Sequence, residues 1–214
     1  MGVGGNKQKG TQFMIYNVIR KTKRYYFTVN TMFYLGFILF GLPVFIRLNI
    51  FNFEPNLFDK IWSYTMLFIM LGALFFSLYK SNKYKTLKGK LISELEFQKD
   101  KIVIDKIGYQ LNDIKKISIE NTFDYKGRYT YSKGNFDGSL SNGIENELLI
   151  YLNDDEKIQV NFQQVNEDDI LNEREILIHY SNRGKLHYLN LLKILRIEDY
   201  GEIQNFKTKY LKQL

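Results

Sequence analysis

The sequence predicts two N-terminal transmembrane α-helices followed by a mainly antiparallel β-barrel or roll domain with C-terminal helices. Three observations predict it: two long uncharged apolar runs, apolar–polar alternation from Leu91 onward, and helical spacing in the last third. The chain divides accordingly into a basic N-terminal segment (1–24), a two-helix hairpin (25–80), a basic linker (81–90) and a β domain with C-terminal helices (91–214).

Between Arg24 and Arg47 lie 22 residues without a charge, and between Lys60 and Lys80 lie 19 more. Roughly 20 apolar residues in a helix cross the hydrocarbon core of a bilayer, so both runs qualify. Tyr25, Tyr26, Trp62 and Tyr79 fall near the ends of the runs, where amphipathic rings favour the interface. Pro43 marks a place for a kink in the first run. Asn30 is the strongly polar side chain of the first run and sits near its start, which argues against an ion pathway.

Net charge is +7, yet it is unevenly placed. Residues 1–24 carry six cations, Lys7, Lys9, Arg20, Lys21, Lys23 and Arg24, and no acid. Residues 80–90 carry five, Lys80, Lys83, Lys85, Lys88 and Lys90, again without an acid. Between the runs, Arg47 and Lys60 balance Glu54 and Asp59, whereas residues 91–214 hold 17 cations against 21 acids. The basic character therefore flanks the apolar runs, with Arg20, Lys21, Lys23, Arg24, Lys80, Lys83 and Lys85 closest to them. Positive flanks stay on the cytoplasmic side, which predicts a multi-pass membrane protein with both termini in the cytoplasm. Membrane lipids are expected partners, and DNA and RNA are not.

From residue 91 the period becomes two. In "LISELEF", Leu91, Leu95 and Phe97 share one face against Glu94 and Glu96. "KIVID" follows after a turn at "QKDK", and "YQLNDIKKISIE" carries Leu111, Ile117 and Ile119 with an irregularity near Asp113. "ENELLIYL" and "KIQVNF" form a hairpin closed by "NDDE". Such alternation between turn signals marks a half-buried antiparallel sheet, and several strands of this size commonly close into a barrel, which removes exposed edges. Thereafter "NEDDILNEREILIHY" opens with an acidic turn suited to a helix N-terminus. "REILIHY" (174–180) also has strand-type composition, and helix and strand both remain open there. "LHYLNLLKILRI" is dense in Leu and Ile, while Ile203, Phe206, Lys207, Tyr210, Leu211 and Leu214 share a helical face.

No catalytic constellation emerges. Cysteine is absent, which removes disulfides, thiolate nucleophiles and thiolate metal ligands. His179 and His187 have no metal-ligand spacing. Asp154, Asp155 and Glu156 lie in the hairpin turn without the remaining ligands of a calcium loop. No phosphate-binding loop, nucleophile elbow or zinc-hydrolase motif occurs. A non-enzymatic role, with no catalytic residue, metal or resident cofactor, is the expectation.

The unusual stretch is "FDYKGRYTYSKGNFDGSLSNG", residues 123–143, which mixes aromatics and cations with four turn-type glycine pairs. If residues 123–131 are extended, Phe123, Tyr125, Tyr129 and Tyr131 point one way and Asp124, Lys126, Arg128 and Thr130 the other. Tyr rings can stack on nucleobases, and Arg and Lys can bind phosphate. Tyr125, Lys126, Arg128, Tyr129, Tyr131 and Lys133 are therefore the candidate ligand-binding residues. Two other readings stand beside this one: rings that fill the domain interior while the cations face water, and a basic rim that meets anionic headgroups.

Two spans, a small cytoplasmic β domain and no enzymatic motif resemble two families. Residues 89–214, with "GKLISELEFQKDKIVI", "YQLNDIKKISIE", a later hairpin and a C-terminal helix, resemble bacterial membrane-tethered pleckstrin-homology-like domains. The layout of nearly the whole chain, with "LSNGIENELLIYL", resembles the two-transmembrane β-barrel effectors of bacterial cyclic-oligonucleotide antiphage signalling (CBASS). The second resemblance implies that the cytoplasmic barrel binds a cyclic dinucleotide as activating ligand, that the chain forms a homo-oligomer, and that the clustered spans disrupt the inner membrane. The first implies a membrane-tethered scaffold that binds a protein or a lipid headgroup. Gly36, Gly41, Gly72 and Ala73 permit close helix contact in either case.

Overall fold

The computed structural model describes residues 14–21, 29–51, 54–130 and 138–210. They form two compact units. One is built from residues up to Arg20, Gly89–Lys126 and the chain from Gly143 onward. The other is built from Lys21–Lys88 and Gly127–Asn142.

The second unit contains the apolar helices. The first runs through α1 (Val29–Gly36), a π-helical stretch Phe37–Gly41, α2 (Leu42–Phe45) and a second π-helical stretch Ile46–Ile50. The second is α3 (Leu57–Lys80). Both are long and apolar enough to span a membrane. Pro43 lies in the first turn of α2, directly after a widened turn in which the Leu42 N–H reaches back to Phe37 O. The π geometry absorbs a residue without an N–H that a regular helix would not accommodate. Outward positions such as Leu57, Phe68, Phe75 and Leu78 are exposed, as expected of side chains that meet lipid. Asn56 and Asp59 form a reciprocal cap at the start of α3: Asn56 Oδ1 accepts the Asp59 N–H and Asp59 Oδ2 accepts the Asn56 N–H.

The first unit is a seven-stranded antiparallel sheet covered by helices. Its strands are β1 (Ile15–Lys21), β2 (Gly89–Phe97), β3 (Lys101–Ile104), β4 (Ile107–Gln110), β5 (Ile114–Glu120), β8 (Asn146–Leu152) and β9 (Lys157–Phe162), in the order β4-β3-β2-β1-β9-β8-β5. The remaining strands, β6 (Lys126–Tyr129) and β7 (Leu140–Asn142), make a separate two-stranded ribbon. The β8–β9 hairpin runs in the register Leu148↔Val160 and Ile150↔Ile158. Its turn contains Asp154, whose carboxylate accepts the Glu156 N–H, and Asp155 at φ 66°. The acidic triplet is thus a turn.

The sheet is open, which corrects the expected closed barrel. Its edges are β4 and β5, and neither pairs with the other. A barrel removes edges by closure, but here the C-terminal segment satisfies the β5 edge. Ile117 N–H donates to Lys185 O at 2.7 Å. The Asn190 amide accepts from Ile119 N–H and donates to Ile119 O, at 3.0 and 2.8 Å. With that edge satisfied, closure offers nothing further, and β4 is only four residues long.

The position of β1 was not legible in the sequence, where residues 1–24 read as a basic segment. In the structure Ile15–Lys21 is an interior strand between β2 and β9, with Val18 opposite Phe162. Tyr16, Phe97 and Phe162 form an edge-to-face aromatic cluster with centroids 5.3–6.3 Å apart. The core continues through Leu95, Ile102, Ile117, Ile119, Leu148 and Ile150. Residues 174–180, open between helix and strand, are helical: α4 (Arg174–Asn182) follows a 3₁₀ turn at Asp169–Glu173 and buries Leu177, Ile178 and Tyr180. Then come α5 (Tyr188–Ile194) and α6 (Tyr200–Tyr210), which bury Leu191, Leu192, Ile194 and Phe206. Fully burying each such side chain contributes roughly 1.5–3 kcal/mol.

Candidate functional site

Residues 123–143 separate into a buried base and an excursion. At the base, Thr122, Asp124, Asn146 and Gln164 are buried polar residues, and Asn146 and Gln164 are completely so. Gln164 Nε2 donates to Thr122 O at 2.8 Å and to Asn146 Oδ1 at 2.7 Å, while its Oε1 accepts the Ile170 N–H. Asn146 Nδ2 donates to Asp124 O, Gly143 O and Phe162 O. The Gln164 backbone holds both ends of the excursion: its carbonyl accepts Lys126 N–H and its N–H donates to Gly143 O, both at 2.9 Å. Buried polar groups of this kind are stable only when fully satisfied. Gly143 makes the approach possible, for a Cβ there would lie 2.2 Å from Gln164 O, at a φ of +71°.

Beyond that clasp, the described residues 127–130 and 138–142 belong with the apolar hairpin. The β6–β7 ribbon joins the chain that follows α3. Leu140 N–H donates to Lys83 O at 3.0 Å, Lys85 N–H donates to Leu140 O at 2.8 Å, and Asn142 Nδ2 donates to Lys85 O at 2.7 Å. Leu140 thereby bridges Tyr84 in a parallel pairing. Gly138 permits it, since a Cβ there would lie 2.3 Å from Tyr84 O.

Of the predicted ligand residues, Tyr125 is half-buried and Lys126, Arg128 and Tyr129 are exposed. Tyr131 and Lys133 lie outside the described residues. Arg128 and Tyr129 share the ribbon unit with Lys80, Lys83 and Lys85. Lys23 and Arg24 also lie outside the described residues, while Arg20 pairs with Asp105.

A second cationic feature, unforeseen in the sequence, is a cleft of about 380 Å³ in the sheet unit, lined by Lys115, Lys116, Tyr151, Asp155, Lys185 and His187 together with Gly184. A register shift in β5 between Ile114 and Lys116 brings two consecutive lysines to one side, as bulges do. The irregularity near Asp113 was its only trace in the sequence. Lys116 and Lys157 lie 6.0 and 5.7 Å from the Tyr151 ring centroid. Lys115 pairs with Asp155 at 2.8 Å. That pairing raises the Lys115 pKa and lowers that of Asp155. Lys185 donates to Ile114 O at 2.5 Å. His187 Nδ1 accepts the Leu189 N–H, which leaves Nε2 as the protonated nitrogen of the neutral ring. Three lysines against one carboxylate, beside the Tyr151 ring, suit an anion that carries a flat group.

His179 Nε2 is buried, and burial, with Arg183 and Lys99 nearby, holds its pKa below the usual value. Among the described residues, no group of three His, Asp or Glu side chains is arranged to hold a metal ion. Comparison with protein-family models, curated proteins and solved structures finds no match to this chain.

Proposed function

We propose that the chain is a two-span, membrane-anchored receptor of a bacterial inner membrane whose sheet domain binds a phosphorylated ligand in the cytoplasm. The observation that carries this reading is the interior position of β1. A strand that precedes both apolar helices shares backbone hydrogen bonds with strands that follow them. If the helices cross a bilayer, this pairing requires an even number of crossings, so the domain and the N-terminus lie on one side. The basic flanks assign that side to the cytoplasm.

The lysine cleft supplies the anion-binding chemistry, and the resemblance noted from the sequence names a cyclic dinucleotide as the ligand. Binding promotes self-association of the hairpins, and the output is loss of membrane integrity. A ligand drives such assembly only by binding the assembled state more tightly than the single chain. No catalytic step is required.

The test is titration of the full-length chain in detergent with a panel of cyclic di- and trinucleotides. Saturable, salt-sensitive binding is expected, weakened at least tenfold in Lys116→Glu and in Tyr151→Ala. Absence of binding across the panel removes the ligand assignment. A second reading, favoured by the open sheet, is a membrane-tethered scaffold that recruits a protein or lipid. It predicts no collapse of membrane potential when the nucleotide is supplied to cells that express the chain.

A further inference from the structure

From the ribbon unit we infer that β6, β7 and the linker after α3 form a docking surface for the anionic headgroups of the leaflet that α3 leaves. The inference does not depend on the ligand assigned to the lysine cleft.

Three observations within the unit support it. The first is reach. Lys80 ends α3, and Lys83, whose carbonyl holds the ribbon through Leu140, follows three residues later. Three residues span at most about 11 Å, so the ribbon is pinned close to the point where the helix ends.

The second is the direction of the lysines. Lys80 Nζ lies 5.6 Å from the Phe76 ring centroid, and Lys83 Nζ lies 5.5 Å from that of Tyr79. Both side chains fold back along the last turns of α3 onto exposed rings, so their charges sit at the level where an aromatic belt meets headgroups.

The third is charge and ring composition. The linker 81–88 and the described ribbon residues 127–130 and 138–142 contain Lys83, Lys85, Lys88 and Arg128 and no acid. Tyr79, Tyr84 and Tyr129 are 61%, 46% and 58% exposed. Cations close to an anionic leaflet are each attracted strongly enough to change surface affinity by roughly fivefold. Exposed tyrosines favour the same layer. The surface is therefore complementary to phosphatidylglycerol-type lipid, and the ribbon holds the unit's cations against it.

The chain is free of cysteine, so a single probe can be placed cleanly. Thr130→Cys in the full-length chain is labelled with an environment-sensitive fluorophore and reconstituted into nanodiscs containing headgroup-spin-labelled lipid. One set contains only phosphatidylcholine and the other includes phosphatidylglycerol. Quenching at least twofold stronger with phosphatidylglycerol, and suppressed by high salt, is the expected result. The triple variant Lys83→Gln, Lys85→Gln, Arg128→Gln should lose the difference while keeping the thermal transition of the parent. Equal quenching in both lipids, or a difference insensitive to salt in the unsubstituted chain, overturns the inference.

Discussion

The Tyr16 ring meets the Phe162 ring edge-on at a centroid distance of 5.3 Å, although both long apolar helices lie between the two residues in sequence. Tyr16 is 2% exposed and its hydroxyl donates to Asp169 O at 2.9 Å. The sheet unit is thus completed by a strand made before the apolar hairpin. Tyr16→Ala should cost about 3–5 kcal/mol, the range for deleting a buried aromatic. Tyr16→Phe, which loses only the hydroxyl's bond, should cost about 1 kcal/mol. A fragment that starts at Gly89 should not fold until a peptide covering β1 is supplied. Denaturant titration of the three proteins, with circular dichroism of the fragment, checks all of this. A fragment as stable as the full sheet unit would show that β1 is dispensable.

Glu173 makes that strand's attachment sensitive to pH. Its carboxyl is 4% exposed, accepts the Met14 N–H, and has a pKa pushed up to about 7, chiefly by burial and further by Glu96. The Tyr16 and Tyr180 hydroxyls feel the same carboxylate and have raised pKa values, with burial the larger cause. Because the folded pKa lies above the usual 4.5, the folded state holds a proton that the unfolded chain has released. The resulting stability is fully present below pH 4.5 and is lost as pH rises through about 7. The loss should be on the order of 3 kcal/mol. Glu173→Gln keeps an acceptor for the Met14 N–H without the charge. Its melting temperature should therefore lack this slope and exceed that of the parent at pH 8. Parallel pH profiles for the two proteins would refute the assignment.

The clasp of Gln164 and Asn146 around the excursion should be intolerant of substitution. Gln164→Leu leaves Thr122 O, Asn146 Oδ1 and Ile170 N–H without the bonds they now receive or donate. Buried groups left in that state cost about 1–3 kcal/mol each, so a loss of about 3 kcal/mol is expected. Gly143→Ala should be at least as damaging, since its Cβ would meet Gln164 O and Lys126 N within 2.5 Å. Hydrogen exchange at the backbone amides of Lys126 and of residue 164 is the informative readout. Exchange unchanged by Gln164→Leu would mean that the clasp does not hold the excursion.

Much of this fold was legible because its signals are local. Leu95 and Phe97 in β2, the β8–β9 hairpin and the two apolar runs each announce themselves within about twenty consecutive residues. What was not legible depends on partners far away in sequence. β1 offers little more than Tyr16 and Val18 as an alternating pair, and its neighbours β2 and β9 lie beyond the apolar helices. Closure of the barrel turned on Lys185 and Asn190 satisfying β5, bonds that no periodicity records. Composition left residues 174–180 undecided because Ile176 and Ile178 suit a strand. The burial of Leu177, Ile178, Tyr180 and Ser181, consecutive or nearly so, is what a helix between sheet and α5 requires. At the candidate site, the tyrosines and cations of residues 125–129 were visible as a cluster, but their association with the linker after α3 was not. The lysine cleft needed a bulge to bring Lys115 and Lys116 together.

At the opposite end of the hairpin, Arg47 Nε lies 2.9 Å from Asp59 Oδ1 and 3.1 Å from Asp59 Oδ2. The residue that closes the first apolar run is thereby tied to the cap of α3. Asp59 is 2% exposed, so removal of one partner leaves the other charge without its counter-ion and should lower the melting temperature. Asp59→Ala also removes the acceptor for the Asn56 N–H, while Asn56 Oδ1 still accepts the N–H of residue 59. Asp59→Asn keeps an acceptor for the cap and isolates the ion pair. Arg47→Met with Asp59→Asn removes both charges, and it should recover much of what Asp59→Asn alone loses. Thermal unfolding of the parent and the three variants in a single detergent, followed by the Trp62 emission that reports on this end of α3, decides the matter. If Asp59→Asn melts with the parent, the pair is a surface contact and the hairpin is held by apolar packing alone.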